Sequence, residues 1–206
     1  MSVHLDHCCS KAEIETALRA GLTSIMADGA PLSYDENVAF THEMVTLVHK
    51  HEGTVEAELG RLTGTEDGLT VPEYEARLTD PEQARGFISE TGADALAICI
   101  GNVHGDYRGS PRLDFDRLAA IRAAVSVPLV LHGASGLGET LVRRSIELGI
   151  CKFNVNTEVR KAYLDALREG LSSPRIELLD LMARAIDAMK DVVSAKLQLF
   201  GSVGKA

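Results

Sequence analysis

Residues 128–157 read PLVLHGASGLGETLVRRSIELGICKFNVNT, and three segments of different period lie inside them. Pro128–Leu131 is a short apolar run, Gly138–Leu148 spaces its apolar residues as a helix does, and Cys151–Val155 returns to a strand-like run. Gly149 stands where a left-handed C-cap would stop the helix. A strand, a helix and a second strand in this order form one β-α unit of a parallel sheet.

The same alternation extends toward the N-terminus. Val3–Leu5, Ser24–Ala27, Val55–Leu59 and Ala95–Ile100 read as strands, and Ser10–Ala20, Asp35–His51, Asp80–Thr91 and Asp114–Ala124 as helices between them. Ser10 with Glu13 three positions on is a capping-box pattern, and Gly21 and Gly92 occupy the same C-cap place as Gly149. After the last strand come two helical stretches, Thr157–Gly170 and Arg175–Phe200, broken at Ser172, Ser173 and Pro174. No linker divides residues 1–206, so one domain is expected. A complete (β/α)8 barrel needs about 250 residues. Six units here predict an α/β fold, a TIM (β/α)8-type barrel lacking about the first two β-α units. An open doubly wound sheet is the alternative that strand counting leaves standing.

Composition limits the function. The 206 residues are 45% hydrophobic and 25% charged, ordinary for a globular protein, with a formal net charge of -9. That sign argues against nucleic acid and anionic membrane surfaces, which favour basic patches. The chain has no apolar run of membrane-spanning length, and Met1–Ser10 lacks the blocks of a signal peptide. A cytoplasmic protein is the expectation. Cys8, Cys9, Cys99 and Cys151 show no paired metal-ligand spacing and read as reduced thiols.

Chemistry collects where the strands end. The endings are Asp6-His7, Asp28, Glu56 with Glu58, His104 after Gly101-Asn102-Val103, His132, and Asn154. In a parallel barrel these all lie on one rim, where active sites are built. His7, His104 and His132 would offer three imidazole nitrogens to a Zn²⁺ ion with its fourth position open, whereas His42, His49 and His51 fall on a charged helix. Strict alternation puts His4 on the side of Asp6 and opposite His7, so Asp6 and His7 can share a site only if their strand bends. Two roles fit Asp6: proton exchange with a substrate hydroxyl, or orientation of a histidine. Glu56 and Glu58 point the same way, and two buried carboxylates on one side call for a cation. Asp28 fits a second ion or a brace for a ligand. The glycine-rich, acidic stretch from Gly60 to Gly68 reads as a mobile lid carrying Glu66 and Asp67. Gly133-Ala134-Ser135-Gly136 and Asn154-Val155-Asn156-Thr157 both lead into helices, whose free N–H groups suit a phosphate.

Taken in order, His4-Leu5-Asp6-His7, Val55 through Gly60 with Gly64 and Glu66, Gly101 through Gly105, Leu131 through Gly136, Asn154 through Glu158 and Phe200-Gly201-Ser202 resemble class II fructose- and tagatose-bisphosphate aldolases. The resemblance implies catalytic zinc on His7, His104 and His132, with Glu58 and Asp28 at acidic positions that hold or receive metal. It implies proton exchange at the ketose C4 hydroxyl by Asp6 and at C3 by Glu66. It assigns the dihydroxyacetone phosphate end to Gly105, Gly133, Ala134, Ser135, Asn154, Val155, Asn156 and Thr157, with Na⁺ or K⁺ nearby, and gives Arg175 a contact to a neighbouring subunit's substrate. A homodimer or homotetramer acting on a sugar phosphate follows. Thr63, Cys8 and Arg108 depart from the family's usual residues. Two other readings remain: a relative that keeps metal and phosphate binding without turnover, and a hydrolytic zinc barrel, which would need an aspartate where Asn154 stands.

Overall fold

The computed structural model describes residues 2–66, 69–72, 76–107, 109–172 and 177–205, with backbone alone at Glu66 and Leu69. Asp67, Arg108 and Arg175 lie outside the described residues. Six strands form one parallel sheet: β1 (His4–Cys8), β2 (Ser24–Ala27), β3 (Thr54–Leu59), β6 (Ala95–Ile98), β8 (Leu129–Leu131) and β9 (Ile150–Phe153), side by side in that order. Helices α1 (Lys11–Arg19), α2 (Tyr34–His49), α3 (Pro81–Thr91), α4 (Phe115–Ala124) and α5 (Glu139–Glu147) make the crossovers. Helices α6 (Thr157–Leu171) and α7 (Leu178–Leu199) follow.

The sheet curls into a half-barrel. Its outermost strands are five steps apart, which in a flat sheet is about 24 Å. Yet Asn154, just past β9, places its side-chain nitrogen 3.2 Å from each carboxylate oxygen of Asp6 in β1. Lys152 in β9 likewise reaches Glu56 in β3, 2.9 Å away. Such contacts between distant strands require a concave inner face.

Alternation along each strand separates two kinds of packing. Ile25, Val55, Leu96, Ile98, Leu129 and Leu131 face the helices and join Ile14, Met44, Phe87, Leu118, Ile121 and Val142 in the main core. Each such side chain, fully buried, contributes roughly 1.5–3 kcal/mol. Met26, Ala97 and Val130 form a separate small apolar cluster on the other side of the sheet. The rest of that concave face is polar.

Local signals explain where the helices begin and end. Ser10 accepts from the Glu13 backbone N–H, whereas the reciprocal capping box forms at Ser33 and Glu36 on α2. Asp80 caps α3 with Pro81 in its first turn, and Gly92 closes it in the left-handed conformation, φ 72°. Gly21 and Gly149 also take positive φ, as expected. Strand edges moved by one to three residues, most at β1, which runs on through His7 to Cys8.

The stretch read as a lid loop is ordered differently. Thr63–Glu66 is strand β4 and Leu69–Val71 is strand β5, an antiparallel pair, and β4 also pairs in parallel with β7 (Val103–His104). His104 therefore stands on this second, three-stranded sheet rather than on the strand that begins at Ala95. The chain leaves β6 because Asn102 turns it: the Asn102 side chain accepts from the Ile100 N–H and donates to the carbonyls of Ile98 and His132. Gly64, at φ 106°, permits the β4–β7 approach, since a Cβ there would collide with the His104 carbonyl oxygen.

Candidate active site

The bend required at the end of β1 is present. Leu5 pairs with Ile25 and Cys8 with Ala27, so three steps along β1 match two along β2, and one surplus residue is accommodated. His7 absorbs it at φ 44°, a conformation that costs a non-glycine residue of order 1–3 kcal/mol. The result turns Asp6 and His7 toward the same mouth.

Three imidazoles meet there. The ring centroids of His7 and His132 are 4.7 Å apart, those of His7 and His104 5.1 Å, and those of His104 and His132 5.9 Å. One nitrogen from each of the three lies within 4.8 Å of the others, and a second group with the same spacing joins His7 to Asp28 and Glu58. The opposite nitrogens are held by carboxylates. His7 Nδ1 is 2.8 Å from Asp28 Oδ2, and His132 Nε2 is 2.8 Å from Glu56 Oε1. That leaves His7 Nε2 and His132 Nδ1 facing each other at 2.9 Å.

Two lone pairs cannot face at that distance without a cation or proton between them. Burial works against charging His7, but its bond to Asp28 and the nearby Glu58 and Asp6 outweigh it and raise its pKa to about 9. Burial lowers the pKa of His132, partly offset by Glu56. Burial, with Asp28 and Glu56 close by, pushes the Glu58 carboxyl up to about 8, and its Oε2 finds no hydrogen-bond donor among the described residues. Buried carboxylates around facing imidazole nitrogens are a group that a divalent cation would satisfy. The donor set of three histidine nitrogens with a carboxylate in reach suits zinc.

The remaining predicted residues divide between the mouth and the loops beside it. Asp28 accepts from the Ala30 N–H as well as holding His7, so it braces that ring. Asn154 Nδ2 also lies 3.3 Å from His132 Nδ1, which puts it between the His132 ring and Asp6. A cleft of about 380 Å³ opens onto Asp6, His7, Asp28, Glu58, Arg61 and His104. Glu66 has its backbone in β4, and its side chain lies outside the description.

Beside the mouth, the two glycine-containing turns are tied together. The Ala134 N–H donates to the Asn154 carbonyl at 3.1 Å, and the Glu158 N–H donates to Ser135 Oγ at 3.3 Å. Gly136 N–H donates to the Glu158 carboxylate, which Lys196 of α7 also holds at 2.7 Å. Gly133, φ 63°, lies so close to the Val103 carbonyl that no side chain fits. Val155, Asn156 and Thr157 lead into α6, with Asn156 at its N-cap. Gly105, φ 83°, completes the rim beside Thr65.

Three contributors were not singled out by the sequence reading. Asn102 anchors the backbone at His132. Tyr107 donates its hydroxyl to the Gly133 carbonyl at 2.9 Å and accepts from the Val103 N–H. Lys152 lies 2.9 Å from Glu56 and 2.7 Å from Asn154. Its spacing of two from Asn154 on one strand was the available signal.

Comparison with known proteins agrees with this geometry. The family model described as fructose-bisphosphate aldolase class-II matches residues 1–205. The YdjI aldolase of Escherichia coli K12 is 40% identical, with TM-score 0.87 over 100% of this chain and 71% of that one. A Coccidioides immitis protein described as a fructose-1,6-biphosphate aldolase is 34% identical, with TM-score 0.91 over 99% of this chain and 72% of that one. The fructose-bisphosphate aldolase of Campylobacter jejuni shares the fold at 20% identity, TM-score 0.77, over 100% of this chain and 71% of that one. Together with the converging histidines, these matches place the chain in the class II fructose-bisphosphate aldolase family.

Proposed function

We propose that the protein catalyses the metal-dependent, reversible cleavage of a ketose 1,6-bisphosphate, fructose or tagatose 1,6-bisphosphate, to dihydroxyacetone phosphate and glyceraldehyde 3-phosphate. The observation that carries this reading is the convergence of His7, His104 and His132 beside Asp6. Zn²⁺ bound by these three histidines would supply a Lewis acid for the charge that develops on the triose when C3–C4 breaks. Asp6 takes the proton from the C4 hydroxyl in cleavage and returns it in condensation. Asn154 holds the Asp6 carboxylate in place through its Nδ2. Glu66, from β4 across the cleft, exchanges the proton at C3. The backbone N–H groups of Gly105, Gly133, Ser135, Val155, Asn156 and Thr157, with the α6 N-terminus, would bind one phosphate, with Na⁺ or K⁺ nearby, while the Ala134 N–H ties the two turns together through the Asn154 carbonyl. Glu58 and Asp28, grouped with His7, would hold or receive the metal.

A homodimer or homotetramer, operating in the cytoplasm, fits an exposed apolar row on α7 that includes Leu179, Met182 and Ile186. No helix of the described residues is long and apolar enough to cross a membrane. The experiment is triose phosphate release from each ketose bisphosphate before and after chelation. Cleavage that stops with chelator and returns with zinc is the expected result; chelator-insensitive cleavage overturns the mechanism. Zinc binding with no cleavage of either sugar would favour a relative that keeps the metal and phosphate sites without turnover.

A further inference from the structure

We infer that Lys152 is a positioning residue of the site: its ammonium fixes which way the Asn154 amide faces, and so which group meets Asp6. Resting on the aldolase reading for its kinetic consequence, the inference begins from hydrogen-bond inventory alone.

An ammonium only donates. Lys152 Nζ lies 2.7 Å from one end of the Asn154 amide, so that end must be the oxygen, and the nitrogen must face the other way. The other way is Asp6, where Nδ2 stands 3.2 Å from both carboxylate oxygens, and His132 Nδ1, at 3.3 Å. The Asp6 oxygens can only accept, so they require the amide nitrogen; His132 Nδ1 already faces His7 Nε2 at 2.9 Å. Were the amide turned around, its oxygen would oppose a carboxylate and its nitrogen would oppose an ammonium, two repulsive contacts in place of two bonds.

A lysine side chain is flexible, so something must hold the ammonium. Glu56 does so: its Oε2 is 2.9 Å from Nζ, while its Oε1 accepts from His132 Nε2. Glu56 is itself buried, and its pKa falls to about 2, since His132 and Lys152 outweigh the opposing effect of burial. Lys152 and Asn154, two apart on β9 and its extension, thus project from the same side of the sheet onto a carboxylate anchored in β3. His4 stands on the same face and hydrogen-bonds Ser24 through Nδ1 at 2.8 Å, while its Nε2 lies 3.9 Å from Glu56 Oε2, beyond the 2.9 Å at which Lys152 holds that oxygen.

The test compares wild type with Lys152→Met and Lys152→Arg, each confirmed folded by far-UV circular dichroism. Arginine is also a pure donor and serves as the conservative rescue. In the zinc-loaded enzyme, Lys152→Met should lower kcat at least about 10-fold, the scale seen for partners of site residues, while KM stays within about twofold. Lys152→Arg should recover most of the loss. A readout independent of turnover is the Asn154 side-chain amide pair in the ¹H–¹⁵N spectrum of the metal-free protein, assigned with Asn154→Asp. In wild type one of its protons should shift downfield under the Asp6 carboxylate, and Lys152→Met should abolish that shift. An unchanged amide signal in Lys152→Met, or a kcat within twofold of wild type, overturns the inference, as does an arginine variant no better than methionine. If wild type cleaves no ketose bisphosphate, the aldolase reading fails, and the amide signal alone then decides the orientation. Should Lys152→Met not fold, Lys152→Leu, which likewise offers no donor to Asn154, replaces it with the same expectations.

Discussion

The two faces of the six-stranded sheet are built to opposite rules. The helix-facing side is apolar and continuous, from Ile14 through Phe87 and Ile98 to Val142. The concave side has only Met26, Ala97 and Val130 as a core, surrounded by His4, Glu56, His132, Lys152 and Asn154 in bonded chains. Apart from the bend in β1 that brings both Asp6 and His7 to the mouth, the strands thus divide the labour by parity: alternate positions hold the fold and the chemistry. Substitutions on the helix-facing side should therefore change stability and leave turnover alone, and those on the concave side should act first on turnover.

The strongest way to break that division is at Asp6. Asp6→Asn keeps the shape and removes the proposed base, so kcat should fall 10²–10⁴-fold, the usual share of general acid–base catalysis, with the melting temperature unchanged. A large drop in melting temperature would show the concave side to be structural as well. The converse is Ile98→Ala, which opens a cavity at a fully buried site and should remove about 2–5 kcal/mol of stability by urea unfolding. Its kcat per folded molecule should equal wild type.

Acidity sharpens the comparison further. His7, raised to about 9 by its acidic neighbours against the effect of burial, stabilises the metal-free fold through its proton; that contribution is whole below its unfolded value near 6.5 and is lost as pH rises through 9. Glu58, raised to about 8 by burial and by Asp28, binds its proton more tightly folded than unfolded, so stability again declines between about pH 4.5 and 8. Both signs agree: the melting temperature of metal-free protein should fall between pH 6 and 9, and zinc should flatten the curve. A pH-independent melt without metal would contradict the concave-face electrostatics. The mildest probe touches neither face: Ser33→Ala removes the α2 capping box and should cost about 1 kcal/mol with kinetics intact.

Much of this was legible in the residues. The strand–helix order and the polar strand endings are periodicity and punctuation, which local sequence carries. The bend at His7 was a requirement before it was an observation, because alternation alone set it against Asp6. The β4–β5 pair was read as a loop since Thr63–Glu66 and Leu69–Val71 are too short to declare themselves; their order depends on β7, about forty residues away in sequence. Lys152 escaped notice for a related reason. Its importance lies in Glu56, nearly a hundred residues earlier, and no local pattern joins them.

The surplus residue in β1 makes length, rather than composition, the stricter constraint on this part of the chain. A point substitution between Leu5 and Cys8 alters one side chain, but an insertion or deletion there shifts the pleat and swings either the acid or the imidazole onto the helices. Exposed connections such as the one between α1 and β2 carry no comparable penalty, so natural drift and laboratory libraries alike should find gaps admissible in the turns and lethal to activity across those four positions.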